Sequence, residues 1–286
     1  MRAIVFGSKG YIGKHLVNYL QSKDYKIWQD VDEKIDIRES KNLKRINWNV
    51  DYVFLFAGKT GTSQSFLDYK DFINTNEIGL LNILDSIRNS PYNPKIIFPS
   101  SRLVYKGSNE ELTEESTKET KTVYALNKLA CEKYLSAYSN YFGINYTIFR
   151  ISVPYGNMLI NDYSYGTIGN FIKQAKNNKK ITLYGDGLYS RTFTYIENLI
   201  QNIVKVSEFK ESDNQIFNIP GQNLTLYKVA SLISSRFNSA IDFVKYPENI
   251  KKIESGSTTF NCDKILRLLP NHKNKDIKEW VNAIDV

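Results

Sequence analysis

The sequence has only two cysteines, Cys131 and Cys262, and they lie far apart. This spacing excludes a disulfide framework and fits a reducing compartment. No apolar run approaches the roughly 20 residues that a membrane-spanning helix needs. The N-terminus lacks the long apolar segment and small-residue cleavage site of a signal peptide. We therefore expect a cytoplasmic protein with no membrane partner.

Histidine is also scarce, since His15 and His272 are the two present, and neither has the spacing of a metal ligand. We predict no metal site. Basic residues outnumber acidic ones and give a formal net charge of +8, but the densest clusters are pairs such as Lys179-Lys180. A nucleic-acid-binding surface requires a patch or stripe of positive charge. We therefore predict no nucleic-acid partner.

Strand-like and helix-like segments alternate through the first half of the chain. The predicted strands are Arg2–Phe6, Lys26–Gln29, Tyr52–Ala57, Lys95–Pro99 and Asn145–Ile151, and the predicted helices are Tyr11–Ser22, Asn74–Arg88 and Tyr124–Tyr141. Buried apolar runs that alternate with helices are typical of a parallel sheet covered on both faces. We therefore predict an α/β fold built on a doubly wound parallel sheet.

The pattern loosens after Gly156. Asn157–Thr167 is polar and predicts a loop. The further predicted elements are helices at Ile168–Asn178, Leu226–Phe237 and Asp276–Ile284, and short strands at Ile181–Tyr184, Gln215–Ile219 and Ala240–Tyr246. This mixture predicts a smaller, mixed α/β domain in the C-terminal half.

A glycine-rich loop follows the first predicted strand and opens the first predicted helix. Gly7 allows a tight turn, Gly10 lets the backbone approach a pyrophosphate, and Gly13 lets helix and strand pack closely. The helix N-terminus adds N–H groups and the positive end of its dipole. Because the strand–turn–helix context is present, the pattern predicts a dinucleotide site and a Rossmann fold. The predicted cofactor loop comprises Gly7, Lys9, Gly10, Tyr11, Ile12 and Gly13.

Tyr124 and Lys128 stand four residues apart, which places a phenol and an ammonium on one face of a helix. A nearby cation favours the phenolate, so the tyrosine can act as an acid or base below its free pKa of about 10. A second such pair, Tyr19 and Lys23, lies in the first helix beside the glycine loop, and we interpret it as a chance match.

These motifs together resemble the extended short-chain dehydrogenase/reductase superfamily, in its NAD-dependent nucleotide-sugar epimerase/dehydratase family. Ser100–Tyr105 resembles the family's Ser/Thr-x-x-Val-Tyr segment, with Ser101 at the position of the catalytic hydroxyl. The resemblance implies that Ser101 orients the reacting sugar oxygen and that Tyr124 takes or gives its proton. It also implies that Lys128 holds the nicotinamide ribose and tunes Tyr124.

The resemblance also assigns cofactor positions. Asp30, after the second strand, stands where an acidic residue binds the adenosine ribose and favours NAD. Lys9 stands where some relatives keep a cation for the 2′-phosphate of NADP, so the two signals disagree. We expect NAD, with NADP as the alternative, because a carboxylate repels that phosphate. The further positions implied to lie beside the cofactor are Asp36, Ile37, Phe56, Ala57, Gly58 and Asn76.

Leu183–Gly187 and the following Arg191 resemble the family's Tyr-Gly-Asp-Gly…Arg signature, in which the arginine reaches the nucleotide diphosphate. The alternative is a surface hairpin with an ordinary salt bridge. Two departures from the family pattern stand out. Arg102-Leu103 replaces the Asp-Glu pair of 4,6-dehydratases, which argues against water elimination. Val153 replaces a substrate-binding asparagine.

The resemblance implies a nucleotide-sugar 4-epimerase or 4-ketoreductase that transfers hydride at hexose C4 and serves cell-surface polysaccharide biosynthesis. The sequence leaves open the nucleotide base, the sugar and the product stereochemistry. The alternative is a catalytically idle dinucleotide-binding sensor or scaffold. The intact set of Ser101, Tyr124 and Lys128 argues against it, because a sensor needs only the glycine loop.

Domain boundaries and assembly complete these expectations. We expect a dinucleotide-binding domain over residues 1–155, with a return segment at about 190–220, and a substrate-binding domain over residues 156–189 and 221–286. We also predict a homodimer, because relatives pair the helices that correspond to Asn74–Arg88 and Tyr124–Tyr141 into a four-helix bundle.

Overall fold

The computed structural model describes residues 1–30, 35–156 and 166–285. Its strands are β1 (Arg2–Phe6), β2 (Lys26–Gln29), β3 (Tyr52–Leu55), β4 (Lys95–Ser101), β5 (Tyr146–Ile151), β6 (Val153–Tyr155), β7 (Ile181–Tyr184), β8 (Ser190–Tyr195), β9 (Gln215–Asn218), β10 (Gln222–Thr225) and β11 (Ile241–Val244). Its α-helices are α1 (Tyr11–Gln21), α2 (Ser40–Leu43), α3 (Gln64–Leu67), α4 (Tyr69–Ile73), α5 (Gly79–Arg88), α6 (Val123–Phe142), α7 (Gly166–Lys176), α8 (Ile196–Ser207), α9 (Leu226–Phe237), α10 (Glu248–Ile253), α11 (Asp263–Leu266) and α12 (Ile277–Asn282).

The central sheet has the strand order β2-β1-β3-β4-β5-β9. The pairs β1–β2, β1–β3 and β3–β4 are all parallel. The strand order reverses beside β1, so the carboxyl ends of β1 and β3 form a topological switch point, where such sheets bind ligands. This confirms the predicted doubly wound parallel sheet.

Two compact units share the chain, and they interleave along the sequence. Unit 1 comprises residues 1–104, 119–150 and 203–217, and unit 2 comprises residues 105–118, 151–202 and 218–286. Apolar side chains at helical spacing, such as Leu16 and Leu20 on α1 and Leu80, Ile83 and Ile87 on α5, are buried in unit 1. Burial of such stripes against the sheet stabilises helices that would be marginal alone.

The unit boundaries differ from the sequence-based ones at four segments, since residues 105–118, 151–155, 190–202 and 218–220 all fall in unit 2. Residues 105–118 belong to unit 2, because Leu112 bridges to Phe260 and the Ser108 N–H donates to the Ser257 carbonyl at 2.9 Å. Residues 190–202, expected in the return segment, also belong to unit 2. There β8 pairs with both β10 and β6, and sequence periodicity predicted none of these three strands. The proposed roles of the two domains remain predictions.

Unit 2 is a mixed α/β domain, as predicted. A three-stranded sheet, β10-β8-β6, and a two-stranded sheet, β11-β7, contribute to a core that includes Tyr155, Phe193 and Trp280. Residues 157–165 of the predicted loop Asn157–Thr167 lie outside the described residues. Gly166 and Thr167 belong to α7 and not to a loop.

The long predicted helices are present with small changes at their ends. The helix predicted over Asn74–Arg88 begins with a π-helical turn, Asn74–Ile78, and continues as α5. The helix predicted over Tyr124–Tyr141 is α6, which ends at Phe142 with Gly143 as its left-handed C-cap. Of the helices in the three described ranges, none combines the length and apolarity that crossing a membrane requires.

Candidate active site

The glycine loop packs backbone against backbone at the carboxyl ends of β1 and β3. The Gly10 N–H donates to the Gly7 carbonyl at 3.0 Å, and Gly7 has a φ of +82°. A Cβ at Gly7 would lie 2.3 Å from the Ala57 nitrogen, and one at Gly13 would lie 2.0 Å from the Gly7 oxygen. Only glycine therefore fits at Gly7 and Gly13, and the segment Phe56–Gly58 lies directly beside this loop.

Helix α1 begins at the end of this loop. Gly10 precedes the helix without a side-chain cap, and the first turn, which includes Tyr11 and Ile12, has no acidic residue. The N–H groups and the positive end of the dipole at a helix N-terminus favour a phosphate group. These residues fit the pyrophosphate of a dinucleotide cofactor.

Replacing Gly13 with alanine is expected to weaken NAD binding by about tenfold or more, because the new Cβ cannot coexist with the Gly7 oxygen. Fluorescence titration with NADH measures this affinity. Gly10→Ala is the matched comparison, since its Cβ would lie 3.3 Å from the same oxygen and should cost less. Equal affinities for the Gly13→Ala variant and the parent would contradict the proposed cofactor loop.

Asp30 lies at the end of β2, and its carboxylate contacts the glycine loop. It accepts hydrogen bonds from the Gly7 N–H and the Ser8 hydroxyl, both at 2.8 Å. A carboxylate has about four acceptor positions, so capacity for ribose hydroxyls remains. Lys9 is exposed in the same loop. The structure thus holds both residues that bear on the choice between NAD and NADP.

Asp36 and Ile37, assigned by resemblance to the adenine region, have different surroundings. Arg38 Nη2 lies 2.6 Å from Asp36 Oδ2, and this guanidinium lowers the pKa of Asp36. Ile37 is buried, and a Cβ at Gly79 would lie 2.6 Å from its Cδ1 atom. The Ile37 side chain therefore packs closely against Gly79, whereas the Asp36 carboxylate is paired with Arg38.

The N-terminal half of α6 carries the Tyr124–Lys128 pair onto the end of β4. The Thr122 hydroxyl caps the helix by accepting from the Ala125 N–H at 3.1 Å. Lys128 is buried, and its Nζ donates to the Pro99 carbonyl at 2.8 Å. This hydrogen bond therefore holds the Lys128 ammonium against β4, at a carbonyl two residues before Ser101.

The other two predicted catalytic residues, Tyr124 and Ser101, lie on the same two elements, α6 and β4. Tyr124 is partly buried and meets the ring of Phe72 edge-on, with ring centroids 6.5 Å apart. Ser101 is buried, and its hydroxyl accepts from the Leu103 N–H at 3.2 Å. The short 3₁₀ turn Arg102–Val104 follows at once, so Arg102 and Leu103 stand directly beyond the hydroxyl.

Burial strongly perturbs the ammonium of Lys128. Loss of water lowers its pKa to about 8, while the nearby Cys131 and Glu132 act in the opposite direction. The Nζ atom also lies 4.5 Å from the centre of the Phe98 ring, a favourable cation–π position. A lysine held this way supplies a positive charge to its neighbours at neutral pH.

Asn76 links the π-helical turn to the loop after β3. Its Oδ1 accepts from the Lys59 N–H at 2.8 Å, and its Nδ2 donates to the Lys59 carbonyl at 3.1 Å. A Cβ at Gly58 would lie 3.0 Å from Asn76 Oδ1 and 4.0 Å from Lys128 Nζ. The structure thus brings Gly58, Asn76 and Lys128 together, and Asn76 positions the loop.

A buried ionic network beneath this face was missed from the sequence. Glu132 accepts from the Ser100 hydroxyl at 2.5 Å, and Arg150 Nη2 donates to its other oxygen at 2.6 Å. Both charged side chains are 2% exposed. Two signals could have revealed it: Glu132 extends the four-residue spacing of Tyr124 and Lys128, and Arg150 interrupts an apolar strand.

Arg191 lies in unit 2, on β8, and forms an ion pair there. Its Nη2 atom lies 2.6 Å from Glu254 Oε1, and its Nη1 atom donates to the carbonyls of Ser190 and Gly256. Burial lowers the pKa of Arg191, and the Glu254 charge opposes this shift. Val153, the other departure in this region, begins β6 and pairs with Phe193.

This chain is similar in sequence to known proteins. The model of the NAD dependent epimerase/dehydratase family matches residues 3–220. Human dTDP-D-glucose 4,6-dehydratase is 27% identical over 245 residues, which cover 76% of this chain and 68% of that protein. CDP-paratose 2-epimerase of Salmonella typhi is 25% identical over 100% of this chain and 94% of its own. The curated relatives thus include both epimerases and dehydratases.

Solved structures show the same fold at low identity. Pal from Bacillus thuringiensis has a TM-score of 0.88 at 22% identity and covers 98% of this chain and 96% of its own. The UDP-glucose 4-epimerase of Thermus thermophilus, solved with NAD, has a TM-score of 0.86 at 20% identity over 99% of this chain and 97% of that one.

Proposed function

Since this chain belongs to the NAD dependent epimerase/dehydratase family, we propose that it is a nucleotide-sugar 4-epimerase or 4-ketoreductase acting at hexose C4. The hydrogen bond from Lys128 Nζ to the Pro99 carbonyl is the main observation that supports this proposal. That contact fixes the helix of Tyr124 against the strand that ends at Ser101. A phenol, a cation and a hydroxyl on adjoining segments suit proton transfer at an alcohol or ketone.

In this mechanism NAD, when bound, takes up or returns the hydride. Tyr124 removes the proton of the sugar hydroxyl during oxidation and returns it during reduction. The Lys128 ammonium favours the phenolate and binds the nicotinamide ribose, and Ser101 orients the reacting oxygen. Gly7, Gly10 and Gly13 leave room for the pyrophosphate at the start of α1.

Epimerase and ketoreductase share these residues and differ in whether the reduced cofactor stays bound. Arg102 and Leu103, directly after Ser101, support either activity over water elimination, because they provide no carboxyl group for it. Similarity to a named dehydratase at 27% identity does not choose between these reactions, since a named epimerase is 25% identical over the whole chain. A role in cell-surface polysaccharide biosynthesis remains a prediction.

A catalytically idle sensor or scaffold is the second candidate. It draws support from the glycine loop alone, which would bind NAD without any sugar. The Ser101 hydroxyl and the Tyr124 phenol on the segments joined by Lys128 argue against it, because a cofactor sensor needs no acid–base group.

The decisive experiment incubates purified protein and NAD with UDP-, dTDP- and CDP-hexoses and follows products by mass spectrometry and NMR. We expect inversion at C4 of one sugar, or reduction of its 4-keto form when NADH is supplied. Tight NAD binding without turnover of any sugar would favour the sensor. Loss of water from the sugar would make the enzyme a dehydratase.

We predict that NADH binds about tenfold more tightly than NADPH, because the Asp30 carboxylate repels a 2′-phosphate. Fluorescence titration of both cofactors measures this ratio. Asp30→Asn removes the charge and should narrow the difference. Tighter NADPH binding that disappears in Lys9→Ala would reverse the assignment.

We propose a homodimer in which each subunit contributes two helices to the interface. The first is the π turn with its continuation α5, and the second is α6. Ile78 and Leu126 on these helices are 40% and 54% exposed and would be covered in such a pairing. Light scattering at micromolar concentration should give the dimer mass, and Leu126→Asp should give the monomer. Leu67→Asp, on α3, alters a side chain that is 75% exposed and serves as the control. A monomeric parent protein would refute the assembly.

A further inference from the structure

The guanidinium of Arg191 makes three hydrogen bonds within unit 2 itself. Nη1 donates to two carbonyls, and Nη2 donates to Glu254 Oε1 at 2.6 Å. The Arg191 side chain is 3% exposed and that of Glu254 is 20% exposed. The carboxylate is therefore the partner nearer to solvent.

The segment that carries Glu254 is bound to β8 through its backbone. Thr258 bridges to Arg191, and its N–H donates to the Ser190 carbonyl at 2.9 Å. Glu254 Oε1 also accepts from the Gly256 N–H at 3.1 Å, and Gly256 has a φ of +77°. The Thr258 backbone bond does not involve the Glu254 carboxylate, so it holds the segment when the carboxylate leaves the guanidinium and the Gly256 N–H.

Glu254 itself lies outside regular structure. It follows α10 as the C-cap residue, in an extended conformation with φ −72° and ψ 127°. A side chain at such a position can change rotamer without breaking helical hydrogen bonds, and water solvates the released carboxylate. The Arg191 side chain, in contrast, is 3% exposed and makes three hydrogen bonds that a change of rotamer would break.

A diphosphate that approaches this guanidinium meets a charge already neutralised. The ligand and Glu254 are both anionic, so both cannot occupy Nη2 without strong repulsion at short distance. A diphosphate is expected to displace the carboxylate from the guanidinium, since it carries more negative charge and matches the planar fork of arginine.

We propose that Glu254 is a gating counter-ion, which occupies Arg191 in the ligand-free protein and is displaced when a nucleoside diphosphate group binds. This inference rests on the proposed function, since it takes Arg191 as the residue that receives the diphosphate. The gate keeps the buried guanidinium paired in both states. It also makes affinity depend on the phosphate charge of the ligand, so that an uncharged nucleoside cannot open it.

Calorimetry with UDP, dTDP, CDP and uridine tests the gate on Glu254→Gln, which keeps the shape and removes the charge. Glu248→Gln, an exposed residue on α10, is the matched control. We expect the Kd of the nucleoside diphosphates to fall about tenfold in Glu254→Gln, and to stay unchanged in the control. Uridine should gain nothing. Kd values equal to or higher than the parent's would show a purely structural pair and overturn the gate.

Thermal unfolding provides the second measurement. Glu254→Gln leaves a buried cation without its counter-charge, so the ligand-free variant should have a lower Tm than the parent. Saturating nucleoside diphosphate should restore most of the loss, and an equal loss with and without ligand would overturn the gate. If Glu254→Gln fails to fold, Glu254→Asp, which keeps the charge at shorter reach, should tighten binding by a smaller factor, and unchanged binding would overturn the gate.

These outcomes separate the gate from the proposed function. Turnover of a nucleotide sugar with the same KM in parent and Glu254→Gln would overturn the gate and leave the function standing. Absence of both nucleoside diphosphate binding and turnover in parent and variant would overturn both.

Discussion

Replacing Tyr124 with phenylalanine is expected to reduce turnover by about 10²–10⁴-fold, the usual contribution of a general acid or base. The substitution keeps the ring that meets Phe72 edge-on and removes only the ionisable oxygen. NAD affinity should stay nearly unchanged. Among the neighbouring groups, the Ser101 hydroxyl is too weak a base unaided, and Lys128 serves better as a cation.

Steady-state turnover of an isolated nucleotide sugar, with cofactor binding followed separately, measures this effect. Lys128→Met is the informative comparison. It should lower both turnover and NAD affinity, because it removes the ammonium and the proposed ribose contact together. A Tyr124→Phe variant that turns over like the parent would refute the mechanism while leaving the fold intact.

Replacing Glu132 with alanine is expected to lower the free energy of unfolding by about 3–5 kcal/mol. The substitution leaves the Arg150 guanidinium buried without a counter-charge and removes the acceptor of the Ser100 hydroxyl. Water cannot replace these partners, because both side chains of the ion pair are 2% exposed.

Urea unfolding measures this cost as a shift of the midpoint at constant slope. Asp85→Ala is the matched control, because its pair with Arg88 is exposed on α5 and should contribute at most about 1 kcal/mol. The double variant Glu132→Leu/Arg150→Met should regain much of the loss, since it removes both charges. A Glu132→Ala variant as stable as Asp85→Ala would contradict this account of the network.

The central sheet shows how much the sequence could predict. Strands β1, β3, β4 and β5 each contain a short apolar run, so their positions follow from local patterning, whereas β2 contributes only Ile27 and Trp28. The segment Ser190–Tyr195 alternates less clearly, and only its pairing with β6 and β10 makes it a strand. Likewise, residues 105–118 gave no sign that they belong to unit 2, because that depends on bridges to distant residues.

The site divides along the same line. Gly7, Gly10 and Gly13, and the spacing of Tyr124 and Lys128, are local features, because one turn or one helical period places them. Partners from distant segments were out of reach of this reasoning. The Asp30 carboxylate bonds the glycine loop, and Asn76 bonds the Lys59 backbone, only because strands β1, β2 and β3 lie side by side.

The sequence alone determined the α/β class, the dinucleotide loop and the proposed Tyr124–Lys128 pair, because each depends on chain periods of a few residues. The tertiary structure decided where charge is buried and what neutralises it. Burial of Lys128 lowers its pKa. Glu132 forms an ion pair with Arg150, and Arg191 forms one with Glu254 and is therefore not open to a ligand. Desolvation and ion pairing depend on distances in space between residues far apart in the chain, and only the folded protein sets those distances.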